Sequence, residues 1–220
     1  MAEKQKVYAS VKDERLINIR REQMVKGAIS LFKEKGFHRT TTREIARKAG
    51  FSIGTLYEYI RSKEDILYLV CDQIYDEVQS KIQDALDLKK VTIETIREGI
   101  TSYFLVIDEM QDEVLVLYQE AKSLTKESLP YVLKKEMQMV AMFEQLIKLF
   151  SENYGLLLKD KEIKLLAHNI FVHGQMWSFR RWALQKIYTL DEYTNMQVEL
   201  FIQGVQTFSG KKRDHPFKPA

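Results

Sequence analysis

Apolar side chains recur along this chain every three to four residues, while period-two alternation of strand type is scarce. In IRREQMVKGAISLFKEKGF, Ile19, Ala28, Leu31 and Phe32, with Met24 less strictly, fall near one helical stripe, and Gly36 stands where a left-handed helix end belongs. The next patterns are much shorter. Thr41 with Glu44 three residues on has the form of a capping box, and Ile45, Ala46 and Ala49 give one apolar face before Gly50. Ser52 opens a third helix with Leu56 and Ile60 inside, and Ser62 with Asp65 caps a fourth that runs through KEDILYLVCDQIYDEVQSKIQDAL. Beyond it, helical patterns cover 92–109, 113–123, 127–154, 161–186 and 191–209. Good helix formers dominate, with 3 Pro and 9 Gly, so the spacing predicts an all-α fold of about nine helices.

Two short helices joined at a glycine and backed by a longer one make a helix-turn-helix unit. Helices that short are not stable alone, so Phe32, Phe37, Ile45, Phe51, Leu56 and Ile60 must hold them by packing. Such a scaffold can push one helix into the major groove of a duplex. The outward residues suit that use. Ser52, Thr55, Tyr57 and Tyr59 carry hydroxyls, Gly54 lets backbone approach a phosphate, and Thr41, Thr42, Arg43 and Lys63 stand at helix starts that favour anions. Ile53 can meet a thymine methyl. Charge agrees: residues 1–63 hold 15 Lys and Arg against 7 Asp and Glu, whereas residues 64–210 hold 15 against 23.

The stretch AISLFKEKGFHRTTTREIARKAGFSIGTLYEYIRSKEDIL resembles the DNA-binding domain of the tetracycline-repressor (TetR) family. Gly36, Phe37, Thr41, Thr42, Ile45, Ala46, Ala49, Gly50, Gly54, Leu56, Tyr57, Tyr59, Lys63 and Glu64 carry the resemblance, with Ile60 in place of the usual phenylalanine. It implies that Thr42, Ser52, Thr55, Tyr57, Tyr59 and Lys63 touch DNA. The expected organisation is a DNA-binding domain with an N-terminal arm over 1–67, a regulatory ligand-binding and dimerisation domain over 68–210, and a basic tail over 211–220.

In the regulatory half, Ala167, Phe171, Gly174 and Ser178 share one face at ~100° per residue, and the 161–186 pattern is apolar on more than one side. Thr194, Val198, Phe201, Val205 and Phe208 form a second stripe. The two resemble the family's dimer-forming helix pair, so the expected interface is Ala167, Phe171, Gly174, Ser178, Val198, Phe201 and Val205. A homodimer reads a palindromic operator, one helical turn between half-sites, and an effector in the regulatory half alters the fit. Methionine and aromatic side chains can line a mostly apolar pocket oriented by a few polar groups. The expected set is Tyr103, Met110, Tyr118, Met142, Asn169, His173, Met176, Trp177 and Arg180. The segments WSFRRWALQ and LYQEAKSL are similar to family members that govern acyl-chain metabolism and sense acyl-coenzyme A thioesters.

An enzyme is not expected: no phosphate loop, nucleophile elbow or dinucleotide fingerprint occurs, and no cofactor is implied. His168 and His173 diverge by ~140° on a helix, so no metal site is expected either. One cysteine, Cys71, and the lack of any signal-like or membrane-spanning run point to the cytoplasm. The alternatives are an activator, or a binding module that senses a small molecule or protein partner without reading an operator. The N-terminal KQKVYASVKDERLINIRR is a further candidate for DNA contact, whereas KKRDHPFKPA reads as a frayed tail before it reads as a second basic arm.

Overall fold

The computed structural model describes residues 7–85 and 91–208. Among them all regular structure is helical: α1 (Glu14–Arg39), α2 (Thr42–Ala49), α3 (Ile53–Tyr57), α4 (Lys63–Ala85), α5 (Ile93–Glu109), α6 (Gln111–Glu120), a 3-10 turn (Ala121–Ser123), α7 (Leu129–Asn153), α8 (Asp160–Phe179), α9 (Arg181–Leu184) and α10 (Leu190–Phe208). The all-α class is as expected, and the regulatory helices fall within a few residues of their patterns. The basic tail 211–220 lies outside the described residues.

Two local expectations change. The pattern over 161–186 is two helices, because Arg180 leaves the helix at φ −107° and ψ 18°. The end of α8 is held sideways: Ser178 Oγ donates to the Gln111 carbonyl at 2.6 Å and Trp177 Nε1 donates to the Asp108 carboxylate at 2.7 Å. Trp182 beyond the break is exposed, so no burial keeps the next turn in line. Gly36 has the positive φ expected, 79°, but its ψ of 163° is extended rather than left-handed helical. The chain turns there so that the Phe37 N–H meets the buried carboxylate of Glu120 at 3.1 Å. A glycine tolerates that backbone, which other residues rarely adopt.

Two compact units emerge, Met1–Glu77 with Asp112–Glu136, and Val78–Gln111 with Met137–Ala220. The unit holding the three-helix head therefore takes in residues 112–136, which the sequence grouped with the regulatory half. Its core contains Met24, Ala28, Phe32, Phe37, Ile45, Leu56 and Ile60, all buried, with Phe32 and Phe37 edge to face at 5.4 Å. Buried Lys135 of α7 bridges Asp72 and, at 2.5 Å, Asp76 of α4, and Tyr131 donates to Asp72 at 3.1 Å. Cys71 beside them is buried, and desolvation pushes its thiol up to about 12, so it stays protonated.

In the second unit Tyr103 stacks on Phe171 at 5.9 Å, with Phe143 at 5.1 Å, and its hydroxyl donates to the Phe171 carbonyl at 2.9 Å. Gly174 makes this possible: a Cβ there would overlap the Tyr103 ring.

Candidate nucleic-acid interface

The head begins with an N-terminus built by its own side chains. Thr41 Oγ1 accepts from the Glu44 N–H at 3.3 Å, and the Glu44 carboxylate accepts from the Thr41 N–H at 2.9 Å. Lys35 donates to the same carboxylate at 2.5 Å. The lysine first, then the threonine N–H and hydroxyl, hold the Glu44 carboxyl down at about 2. Gly50, left-handed at φ 82° and ψ 27°, closes α2. Ser52 then caps α3 by accepting from the Thr55 N–H at 3.0 Å. The result is two helices of 8 and 5 residues meeting at a fixed angle. Thr42 Oγ1 and the Tyr57 hydroxyl, 3.2 Å apart, tie the start of α2 to the end of α3.

Seven of the predicted contact residues form one solvent-accessible patch on these helices. Thr41, Arg43, Ser52, Gly54 and Tyr57 are exposed, and Thr42 and Thr55 are half-buried with hydroxyls at the surface bonds just described or at Ser52, 3.1 Å away. Ile53 is half-buried beside them. Two predicted contacts fall away. Tyr59 is only 3% exposed and belongs to the core. Lys63 spends its ammonium on the end of α1, donating to the carbonyls of Phe37 at 2.9 Å and Thr40 at 3.0 Å while lying 4.1 Å over the Phe37 ring. It caps a helix rather than reaching outward.

Sequence periodicity missed a second layer. Arg21 sits on α1 and donates to the carbonyls of Val7 at 2.7 Å, Tyr8 at 3.0 Å and Tyr59 at 3.1 Å. Burial lowers its pKa from the ordinary guanidinium value. Glu120 reaches the head from 83 positions away. No spacing rule encodes either contact, because both partners are backbone groups.

The second unit does not gather the predicted effector residues. Tyr103, Met110 and Trp177 are core, and Trp177 is satisfied by Asp108. Tyr118 is 66% exposed on α6, in the other unit, and exposed Arg180 lies 5.1 Å from the Trp182 ring. Met142 and Met176 are half-buried. Asn169 and His173 alone of the set line a groove of about 300 Å³ between α5, α8 and α10, walled by Ile100, Phe104, Ile170 and Phe201. Desolvation lowers the His173 pKa, so the ring is neutral near pH 7, and its carbonyl accepts from Tyr193 at 2.7 Å.

The predicted dimer stripe is also relocated. Ala167, Phe171, Gly174, Ser178, Val198, Phe201 and Val205 are all buried within the chain, with Phe171 and Gly174 against the Tyr103 ring. The reason is the aromatic stack, which needs the small residues of α8. A different face of the same two helices is bare: Leu165 and Val172 on α8, with Met196, Leu200 and Phe208 on α10, of which Leu200 is 58% exposed. Their signal was the apolar surplus on a second side of α8.

Comparison with known proteins agrees with this architecture. Residues 25–68 match the bacterial regulatory proteins of the tetR family. The chain is 27% identical over 211 residues to the HTH-type transcriptional regulator HbdR of Aromatoleum sp. (strain CIB), covering 96% of this chain and 91% of that one. Its fold superposes on a tetR-family regulatory protein from Rhodococcus RHA1 with a TM-score of 0.73 at 23% identity, over 84% of this chain and 96% of the other. AibR, solved in complex with isovaleryl coenzyme A and operator DNA, superposes with a TM-score of 0.68 at 18% identity, over 82% and 97%. With its capped α2 and its five-residue α3, the segment 25–68 is similar to the tetR family of bacterial regulatory proteins, and the chain is similar along nearly its whole length to the transcriptional regulator HbdR.

Proposed function

We propose that the chain is a dimeric cytoplasmic repressor, with no enzymatic activity, that binds a palindromic operator and releases it when a mostly apolar small molecule binds. The observation that carries this reading is the patch of Thr41, Thr42, Arg43, Ser52, Gly54, Thr55 and Tyr57 on two rigidly capped helices. Hydroxyls, one guanidinium and a bare glycine backbone suit phosphates on both sides of a major groove, with Thr55 and Ile53 turned to base edges. Two such heads one helical turn apart, about 34 Å, would use each contact twice.

The bare row Leu165, Val172, Met196, Leu200 and Phe208 supports dimerisation through α8 and α10. Leu165, Leu200 and Phe208 also edge the groove that holds Asn169 and His173. A second copy seated on the row would close that groove, so a ligand filling it would bear directly on the packing of the two copies. Its size and apolar walls suit an acyl chain or ring, with the Asn169 amide, Gln197 amide and neutral imidazole for a carbonyl. AibR, of similar fold and solved with isovaleryl coenzyme A, supports an acyl-chain ligand, while the ligand of this chain rests on its own residues.

Selection of genomic duplexes by the purified protein tests the reading. The expected result is a palindrome with half-sites about one turn apart, a mass near twice 26.0 kDa in solution, and release by acyl thioesters or comparable apolar compounds. Recovery of no common sequence would sink it.

A further inference from the structure

An acid stands at the end of α3. Rotation of ~100° per residue sets Gly54 and Glu58 each about 200° from Leu56, which is fully buried. These two therefore form the centre of the outward face, with Thr55 and Tyr57 on its flanks. Glu58 keeps helical backbone at φ −70° and ψ −22°. Its carbonyl, at a helix end where carbonyls lack intrahelical partners, accepts from the Ser10 N–H at 2.8 Å and from the Ser10 hydroxyl at 3.2 Å. The next carbonyl, of Tyr59, accepts from Arg21 at 3.1 Å. The backbone of Glu58 is thus pinned from outside α3, although its side chain is exposed.

Gly54 decides where that side chain can lie. Helical side chains lean toward the N-terminus and cover the preceding turn. One turn back, about 6 Å along the axis, stands Gly54. A Cβ there would have only Ser52 Oγ nearby, at 3.6 Å, and the glycine supplies none. The Glu58 carboxylate has open passage over this bare backbone toward the start of α3, the end that meets base edges in a helix-turn-helix contact. Of the two acids between Thr41 and Ser62, Glu44 is committed to Lys35 and Thr41. The Glu58 carboxylate has no ion pair or hydrogen bond among the described residues.

We propose that Glu58 reads a cytosine in each half-site, its carboxylate accepting from the exocyclic amino group in the major groove. The inference rests on the DNA-reading function proposed above. A free carboxylate brought to a duplex is repelled by phosphates and by the base acceptors of guanine and thymine. Cytosine offers it a donor with no acceptor on the same base, whereas the adenine amino group stands beside the acceptor N7. Specificity at this position comes from a repulsion that one base relieves. The acid lowers affinity for every duplex that lacks the matching cytosine.

Selection of duplexes by the wild-type protein and two variants, followed by affinities for the operator and for random DNA, tests this role. The wild type should retain C at one position of each half-site, any other base there costing about tenfold in affinity. Glu58→Gln should move that preference to A, because an amide pairs with adenine N6 and N7. Glu58→Ala should lose the preference at that position alone and bind random DNA about threefold more tightly, the opposite sign to the loss of an attractive contact. Both variants should melt with the wild type, since the side chain is exposed. Unchanged base preferences in both variants overturn the reading of cytosine. So does a uniform gain on operator and random DNA in Glu58→Ala, which makes the acid a brake on phosphate contact alone; either result leaves the operator reading intact. If the wild-type protein selects no common sequence, the operator reading falls, and the role of Glu58 with it.

Discussion

The head and the body of this protein are both made of helices, but different forces fix them. In the head, α2 and α3 are too short to persist alone, and side-chain oxygens that accept from backbone N–H groups set their starts, Thr41 and Glu44 on α2 and Ser52 on α3, while the Lys63 ammonium donates to the carbonyls at the end of α1. In the body, α5, α8 and α10 run 17 to 20 residues and are located by interlocking rings, Tyr103 against Phe171 and Phe143, Phe104 against Tyr193. A cap acts within one turn and tolerates changes beside it. An aromatic stack fills space and transmits any change of volume. The head should therefore respond to lost hydrogen bonds and the body to added atoms.

Glycines give the sharpest contrast. Gly174→Leu should cost the body about 3 kcal/mol or more, because the new side chain has no room beside the Tyr103 ring. Gly54→Ala in the head should leave stability nearly unchanged, since its Cβ would meet only Ser52 Oγ at an ordinary 3.6 Å. Denaturant midpoints of the two variants decide the matter, and equal midpoints would break the contrast. Next in size is the outer face of the body. Leu200→Glu sets a carboxylate in the row proposed to self-associate and should weaken the dimer by roughly 100-fold at unchanged helicity. Light scattering that still gave twice 26.0 kDa at low protein concentration would move the interface elsewhere.

The same contrast explains what could be read from the sequence. Caps and left-handed glycines are short-range chemistry, so Thr41 with Glu44, Gly50 and Ser52 were legible as written, and α2 and α3 with them. A stripe such as Ala167, Phe171, Gly174 and Ser178 tells only that a face is buried. Whether it meets the same chain or another copy depends on Tyr103, some 70 residues earlier, and here it is the same chain. The break at Arg180 has no glycine or proline to announce it and comes from Ser178 and Trp177 being held by α5 and the start of α6. Tyr59 and Lys63 fit the family's contact positions, yet the backbone around Phe37 and Thr40 claims the lysine and the core claims the tyrosine. Effector residues were least legible, because a pocket is defined by where side chains are missing.

Within the head, charge and hydroxyl contacts should separate. Arg43→Ala removes an exposed cation and should weaken binding to every duplex about tenfold while reducing the salt slope by about 1. Thr55→Ala should lower affinity for the selected operator about fivefold and barely change affinity for random DNA, as a base-edge contact does. Equal losses on both duplexes would make Thr55 a positioning residue. A salt slope unchanged in Arg43→Ala would place that guanidinium away from phosphate.

Acid should separate the two regions by the smallest margin. Glu44 has its carboxyl held at about 2 against an ordinary 4.5, so its contribution to the head is complete above pH 4.5 and disappears as pH falls toward 2. His173 has its pKa lowered from 6.5 by burial, so the unfolded chain takes up that proton first, and the body loses stability as pH falls below 6.5. Each effect is read as the difference between wild type and a variant that cannot titrate there, Glu44→Gln or His173→Gln, in unfolding midpoints from pH 8 to pH 3. The histidine difference should shrink first, below pH 6.5, and the glutamate difference only below pH 4.5. Exposure of Glu44 keeps its share modest, and salt should screen it further. A glutamate difference that stays constant down to pH 3 would mean that the Lys35 bond does not persist in solution, and the polar account of the head would then rest on Thr41 and Ser52 alone.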